Sequence, residues 1–353
     1  MKFISNSNDL SMYLNIPVKK NIEIRSFSTD TRCIKKEDLF IAIKGEMFNG
    51  NHYVESALKK GACLVIADDK RFRDSKNKKI IYVRDSILAL KKISKNIIKE
   101  YSGNIIGITG SNGKTTTTKI IANSLKSSSS TLKNFNNEIG MPLSIISANK
   151  KSKNLIIEMG AAKPNDIHYL SSILKPKIGI ITNIGNSHLK SLKNIRGVFK
   201  VKSELIPNIK KNGCLVLPDE NKDHLKLWKN IRNDINIITF GLQNSADFYP
   251  SNIEYNLNKT KFYICSQKYK VKIKINTALA GEHNIKNILA SFAASFFLNN
   301  PNELFIESLT KNLDLIINRQ KQSKWIKGSL LIDDTYNANP DSVKKSIDLL
   351  TST

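Results

Sequence analysis

The sequence predicts an α/β protein whose centre is a mainly parallel sheet with helices on both faces. Three observations carry that reading. Residues 104–119, NIIGITGSNGKTTTTK, pass from a short apolar strand through a small-residue turn and a Lys-Thr pair into an apolar-periodic helix. Short apolar runs at 155–157, 178–181 and 215–217 then alternate with helical segments, the pattern of strands joined by crossover helices. Residues 1–102 alternate in the same way on a smaller scale.

In chain order, residues 39–43 and 63–67 read as strands, and residues 51–62 and 86–101 as helices. The second helix is set by the spacing of Ile87, Leu90, Ile93 and Ile97. Two polar clusters, Ser28-Thr29-Asp30-Thr31-Arg32 and Lys44-Gly45-Glu46, read on their own as ordinary turns. Residues 105–108 form the strand that leads into the glycine turn. There, converging backbone N–H groups and a helix N-terminus make a cradle for phosphate oxygens. Lys114 reaches the outer phosphates of ATP, and the Thr115 hydroxyl suits Mg²⁺. The common P-loop wants a glycine where this chain has Ile108; its glycines are Gly107, Gly110 and Gly113. The serine run 127–130 reads as a loop.

Polar residues follow the later strands, where ligands gather in such sheets. Glu158 follows the 155–157 strand, and Asn183 and His188 follow the 178–181 strand. A carboxylate at a strand end beside a P-loop is a natural Mg²⁺ ligand; the plain alternative is a surface acid. Residues 194–208 read as a helix that carries Lys202. Residues 246–276 alternate apolar and polar positions as in hairpins of structural role. Residues 281–287, GEHNIKN, open an apolar helix over 288–298, with an asparagine cap as the plain alternative. A strand pattern at 329–333 and a helix to Leu350 start a third unit. The expected domains are 1–102, 103–313 and 314–353, the last a partial one, because a single βα unit cannot build its own core.

Composition narrows the classes. An apolar fraction of 40% and a charged fraction of 24% are those of a globular protein. The net charge of +26 comes from 48 lysines and 8 arginines, which are scattered and form no basic block. That argues for a lysine-coated enzyme that attracts anionic substrates and against a nucleic-acid binder. Cys33, Cys63, Cys214 and Cys265 are far apart and make neither a metal motif nor an evident disulfide framework. No signal-peptide core opens the chain, and its longest apolar stretch is too short for a bilayer.

The text TGSNGKTT resembles the ATP loop of the Mur ligases and their folate-polyglutamating relatives. Other stretches extend the resemblance in family order. Residues 28–32 and 39–45, LFIAIKG, are similar to the segments that bind the UDP end of the sugar-nucleotide substrate. Residues 158–161, EMGA, and 182–189, TNIGNSHL, resemble two metal-site motifs. Residues 200–205, KVKSEL, resemble K-x-K-G-E-[IL], with Ser203 in place of glycine. Residues 134–142, NFNNEIGMP, and 333–342, DDTYNANPDS, resemble the branch that adds D-alanyl-D-alanine. The family's F-[DN]-G-H-x-F is matched only loosely by FNGNHY, so His52 is given no role.

The resemblance implies an N-terminal α/β substrate domain, the central P-loop domain and the start of a Rossmann-like C-terminal domain. It implies an ATP-dependent amide ligase that joins D-alanyl-D-alanine to UDP-N-acetylmuramoyl-tripeptide through an acyl phosphate, in cytoplasmic peptidoglycan precursor synthesis of a bacterium. The alternatives are a Mur-type ligase that adds a diamino acid or glutamate, and an inactive nucleotide-binding remnant. By residue, it implies Lys114, Lys202 and His188 for catalysis. ATP falls to Gly110, Ser111, Asn112, Gly113, Lys114, Thr115, Thr116, His283, Asn284, Asn287, Arg319 and Asp333. Two Mg²⁺ sites fall to Thr115, Glu158, His188 and a carbamylated Lys202. Substrates fall to Ser28, Thr29, Asp30, Thr31, Arg32, Lys44, Gly45, Asn136, Asn137, Tyr336, Asn337 and Asn339. The expected partners are the two small-molecule substrates, with no nucleic acid, no membrane and a monomeric state.

Overall fold

The computed structural model describes residues 2–17, 21–256, 259–310, 321–326, 329–333, 335 and 340–351. Chain contacts divide it into two compact units, Met1–Ser102 with Leu132–Ser152, and Gly103–Thr131 with Lys153–Thr353.

The first unit holds a four-stranded parallel sheet in the order β1 (Ser26–Ser28), β2 (Asp38–Ile41), β3 (Leu64–Ala67), β4 (Ile80–Tyr82). The inner strands are apolar on both faces, as a covered parallel sheet requires. Phe40, Ala42, Val65 and Ala67 pack against Val54, Ala57 and Ala62 of the adjoining helical segment. The Ser86–Glu100 helix is capped by Asp85 and buries Leu90, Ile93 and Ile97 along the stripe that the sequence spacing predicts. It packs against the Gly140–Ser147 helix of the inserted segment. Pro142 sits in the first turn of that helix, where a missing N–H costs little.

The second unit is built on a six-stranded parallel sheet. Its strands are β5 (Asn104–Thr109), β6 (Ser128–Ser130), β7 (Asn154–Glu158), β8 (Ile178–Ile181), β9 (Cys214–Pro218) and β10 (Asn236–Phe240), in the order β10-β9-β8-β5-β7-β6. The chain leaves β5 for one side of the sheet and returns to its other side at β8. The carboxyl end of β5 is therefore a topological switch point, flanked by the ends of β7 and β8. The expected loop at 127–130 is corrected here: Ser128–Ser130 is an edge strand paired with β7. Backbone pairing with an already formed sheet overrides the weak strand propensity of serine.

Helix Glu282–Phe297 buries eleven of its sixteen residues, which explains the longest apolar run of the sequence as core. It packs on the Lys114–Ser124 helix and on β9 and β10. The alternating 246–276 region forms an antiparallel sheet, β11 (Tyr249–Asn256), β12 (Lys259–Ser266) and β13 (Val271–Thr277), whose Phe262, Ile264 and Ile275 join the same core. The expected 194–208 helix is shorter, Ile195–Ser203, followed by a 3₁₀ turn at Ile206–Asn208 that contains Pro207. β14 (Lys321–Lys324) and β15 (Leu330–Asp333) pair as a hairpin before the Pro340–Thr351 helix. Among the described residues no helix is long and apolar enough to cross a membrane.

Candidate active site

The glycine turn between β5 and the Lys114–Ser124 helix is held open by its two positive-φ glycines. Gly110 has φ 148° and Gly113 has φ 80°. A Cβ on Gly110 would run into the Thr182 hydroxyl, and one on Gly113 would run into Oδ1 of Asn287. Both positions combine a disfavoured backbone with close approach, so only glycine fits without strain. The N-terminus of the helix that follows turns its positive dipole end toward the turn.

Around this turn the structure brings the strand-end residues together. Asn183 at the end of β8 accepts from Asn112 N through its side chain (2.8 Å) and from Ser111 N through its carbonyl (3.2 Å). The Ser111 hydroxyl donates to Gly185 O (3.0 Å) and lies 2.9 Å from the Ser187 hydroxyl. Thr182 Oγ1 donates to Asn112 O at 2.5 Å. The 182–188 loop thus braces the phosphate cradle at Ser111 and Asn112. Lys114 Nζ donates to Gly110 O (2.8 Å) and Ser111 O (3.1 Å), which keeps the ammonium over the loop.

Glu158 closes β7. It is only 3% exposed, its N–H donates to Thr131 Oγ1 (2.7 Å), and its Oε2 accepts from Thr115 Oγ1 (2.8 Å). A buried carboxylate and a hydroxyl at that separation present two hard oxygens beside the cradle, a donor set that suits Mg²⁺. Among the described residues no three His, Cys, Asp or Glu side chains cluster as a metal cage. A Mg²⁺ ion at this place would take its remaining ligands from phosphate and water, as it commonly does.

Lys202 is 1% exposed on the Ile195–Ser203 helix. Burial, and then the neighbouring Lys114 charge, pull its amine down to about 7. His188, exposed and in the left-handed region at φ 54°, is held below its usual value by desolvation and by the charges of Lys202 and Lys114. Lys114, His188 and Lys202 therefore share one electrostatic neighbourhood. A buried lysine that is readily neutral can react with CO₂, so this residue fits a carbamate.

On the Glu282–Phe297 helix, Asn284 donates to Ala280 O (2.8 Å) and Asn287 donates to Asn284 Oδ1 (3.3 Å). Both are buried, and Asn287 lies directly against Gly113. His283 precedes them at the first turn. Asp333 ends β15 and accepts from Thr335 N (3.0 Å) and Thr335 Oγ1 (2.7 Å). Arg319, Tyr336, Asn337 and Asn339 lie outside the described residues.

In the first unit, Asp30 and Arg32 form a surface pair after β1 at 2.7 Å, and the hydrogen bonds from Arg32 hold the Asp30 carboxyl far down its range. Ser28 Oγ donates to Asp30 O, and Thr31 O accepts from Lys60 Nζ. Gly45 N donates to Phe48 O in a tight turn next to Lys44. Asn137 Oδ1 accepts from Ile139 N and Gly140 N, turning the chain into the Gly140–Ser147 helix, with Asn136 just before it. His52 is exposed, whereas Asn51 is a buried hub. Asn51 donates to Asp68 Oδ1 (2.6 Å) and accepts from the Asp68 and Asp69 N–H groups. Sequence reasoning missed Asn51; its only signal was that it occupies the histidine position of the loosely matched motif.

Two family models match the chain: the Mur ligase middle domain over residues 108–295, and the Mur ligase family catalytic domain over residues 23–98. A UDP-N-acetylmuramoyl-tripeptide–D-alanyl-D-alanine ligase of Buchnera aphidicola is 33% identical, over 99% of this chain and 76% of the relative. The enzyme of the same name from Bacillus subtilis is 32% identical, over 95% of this chain and 72% of the relative. Among solved structures, the MurF ligase from Thermotoga maritima in complex with ADP aligns with a TM-score of 0.80 at 29% identity, covering 93% of this chain and 74% of that one. MurF from Acinetobacter baumannii aligns at 0.85 and 24% identity, a likeness of fold.

Proposed function

The chain belongs to the Mur ligase family, and from that premise we propose how its residues join D-alanyl-D-alanine to UDP-N-acetylmuramoyl-tripeptide at the expense of ATP. The observation that carries the reading is the Thr115–Glu158 pair at the mouth of a glycine-braced phosphate loop, in a chain about one third identical to ligases of that name.

The reaction is an amide ligation in a cytoplasmic step of peptidoglycan precursor synthesis. The terminal carboxylate of the tripeptide attacks the γ-phosphorus of ATP, the bond to the bridging oxygen breaks, and ADP leaves. The amine of the dipeptide attacks the resulting acyl phosphate, inorganic phosphate departs, and the nitrogen gives up a proton. Such chemistry asks the protein for position and charge neutralisation. The N–H groups at the start of the Lys114–Ser124 helix, with Gly113, hold the phosphates, and Lys114 turns from the loop carbonyls to the outer phosphate oxygens. Asn287 keeps Gly113 in place; His283 and Asn284 are assigned to the adenine, and Arg319 and Asp333 to holding the nucleotide.

Thr115 and Glu158 would hold one Mg²⁺, and His188 with a carbamylated Lys202 the second. Bound there, the metal ions offset charge on the phosphates and on the attacking carboxylate. The carbamate arises when the neutral Lys202 amine attacks CO₂. A C–N bond forms, a C–O π pair moves onto oxygen, and the amine proton passes to water. A cation thereby becomes an anionic oxygen ligand. The UDP end of the substrate binds Ser28, Thr29, Asp30, Thr31 and Arg32 with Lys44 and Gly45, and its peptide end meets Asn136 and Asn137. Tyr336, Asn337 and Asn339 contribute to the dipeptide end. The working domains are 1–102, 103–313 and 314–353, and the active species is a monomer.

Phosphate release with ATP, Mg²⁺ and UDP-muramoyl-tripeptide tests this reading. Release is expected to depend on D-alanyl-D-alanine. Release that instead needs a shorter UDP-muramoyl precursor with glutamate or a diamino acid would assign another branch, and no release with any precursor and amine would indicate a nucleotide-binding remnant.

A further inference from the structure

Three consecutive residues at the end of the Ile195–Ser203 helix are tied in three directions. Lys202 points into the interior. Ser203 Oγ accepts the indole N–H of Trp228 at 2.7 Å and donates to Phe199 O at 2.7 Å. Glu204 accepts from the N–H groups of Asn165 (2.8 Å) and His168 (3.0 Å) at the start of the Asp166–Leu174 helix. Trp228 is 1% exposed and lies on the Lys222–Lys229 helix. Its ring stacks on Phe199 at 5.1 Å, and Phe199 stacks on His224 at 4.4 Å.

Neighbouring residues on an α-helix project about 100° apart. A bond that fixes Ser203 toward the Lys222–Lys229 helix therefore also fixes the direction in which Lys202 leaves the same helix. The resembled motif has glycine at the Ser203 position, where no side chain could make this bond. We propose that the Ser203–Trp228 hydrogen bond is a positioning device that aims Lys202 at the phosphate loop. Phe199 and His224 provide the stacked wall behind it, and Glu204 anchors the following turn. The proposal rests on the reading of Lys202 as a carbamylated ligand. Trp228 is a positioning residue: it acts through the helix that bears Lys202.

The test compares wild type, Ser203→Ala, Trp228→Phe, the double variant and Lys202→Ala. ¹³C-bicarbonate is titrated while the carbamate resonance is read by NMR, with phosphate release and melting temperature measured on the same samples. Trp228→Phe keeps the ring stack and loses only the donor. The expected result is a wild-type carbamate signal that vanishes in Lys202→Ala. Each single variant should need roughly three- to tenfold more bicarbonate for half occupancy, the scale of one buried hydrogen bond. The double variant should be no worse than the worse single one, because both remove the same bond. Should Trp228→Phe fail to fold, Ser203→Ala carries the test. Variants that melt lower yet titrate with wild-type bicarbonate dependence would overturn the positioning role and leave the carbamate reading standing. A wild type with no carbamate signal would overturn both.

Discussion

Thr115 Oγ1 donates to Glu158 Oε2 at 2.8 Å, joining the first turn of the helix after the phosphate loop to the end of the neighbouring strand β7. The carboxylate is buried, and its own N–H is fixed by Thr131, so its place does not depend on the nucleotide. A buried carboxylate beside a hydroxyl offers a cation hard, anionic oxygen. Glu158→Gln removes the charge and preserves the shape. The Mg²⁺ concentration for half-maximal phosphate release should rise roughly 10- to 100-fold, the usual cost of disturbing a metal site. Unchanged Mg²⁺ dependence would make Glu158 a structural acid.

Lys114 is the cation of the cradle, partly buried and bonded to loop carbonyls through its ammonium. Lys114→Ala should lower turnover at least about a hundredfold, on the scale of losing one preorganised charge donor. Circular dichroism should be unchanged, because the side chain lies over the loop. Wild-type phosphate release by this variant would refute the nucleotide site.

Lys202 links the site to stability. Its amine titrates at about 7 in the folded chain, against 10.5 for an unburied lysine. Between these values the unfolded chain holds a proton that the folded chain lacks, so stability rises with pH across that window. Below pH about 7 both states are protonated, and the cost of burying the ammonium is felt in full. In bicarbonate-free buffer, Lys202→Met should melt above wild type at pH 6, and the gap should close steadily toward pH 10. A gap independent of pH would show that Lys202 is not buried as a charge.

Arg32 separates substrate binding from folding in the first unit. Its pair with Asp30 is exposed, and such pairs add little to stability. Arg32→Ala should leave the melting temperature nearly unchanged. The KM for UDP-muramoyl-tripeptide should rise about tenfold, as expected for losing one charged hydrogen bond. An unchanged KM would return residues 28–32 to the role of a surface turn.

Much of the central unit is legible from the sequence because its signals are local. The run 105–108, the glycines at 110 and 113, and the apolar strands ending at Glu158 and Thr182 each declare themselves within a few residues. What stays hidden depends on the fold. Ser128–Ser130 becomes a strand only because β7 lies beside it, and serine carries no such signal. Leu132–Ser152 sits between two strands of the central sheet in sequence yet packs with the first unit, through the Gly140–Ser147 helix. No periodicity announces that choice. Asn51 and Trp228 are hubs because of partners far away in sequence, Asp68 at 17 residues and Ser203 at 25. Ser203 reads as a mere departure from a glycine motif until the indole that it binds is seen.

The identity of the bond formed decides the function. Mass spectrometry of the product after incubation with ATP, Mg²⁺, UDP-muramoyl precursors and a mixture of D-alanyl-D-alanine, glutamate and diaminopimelate reads it directly. One new species is expected, the UDP-muramoyl-tripeptide extended by the dipeptide with loss of one water, formed together with ADP and phosphate. Addition of glutamate or diaminopimelate to a shorter UDP-muramoyl precursor, with the dipeptide left unused, would contradict it.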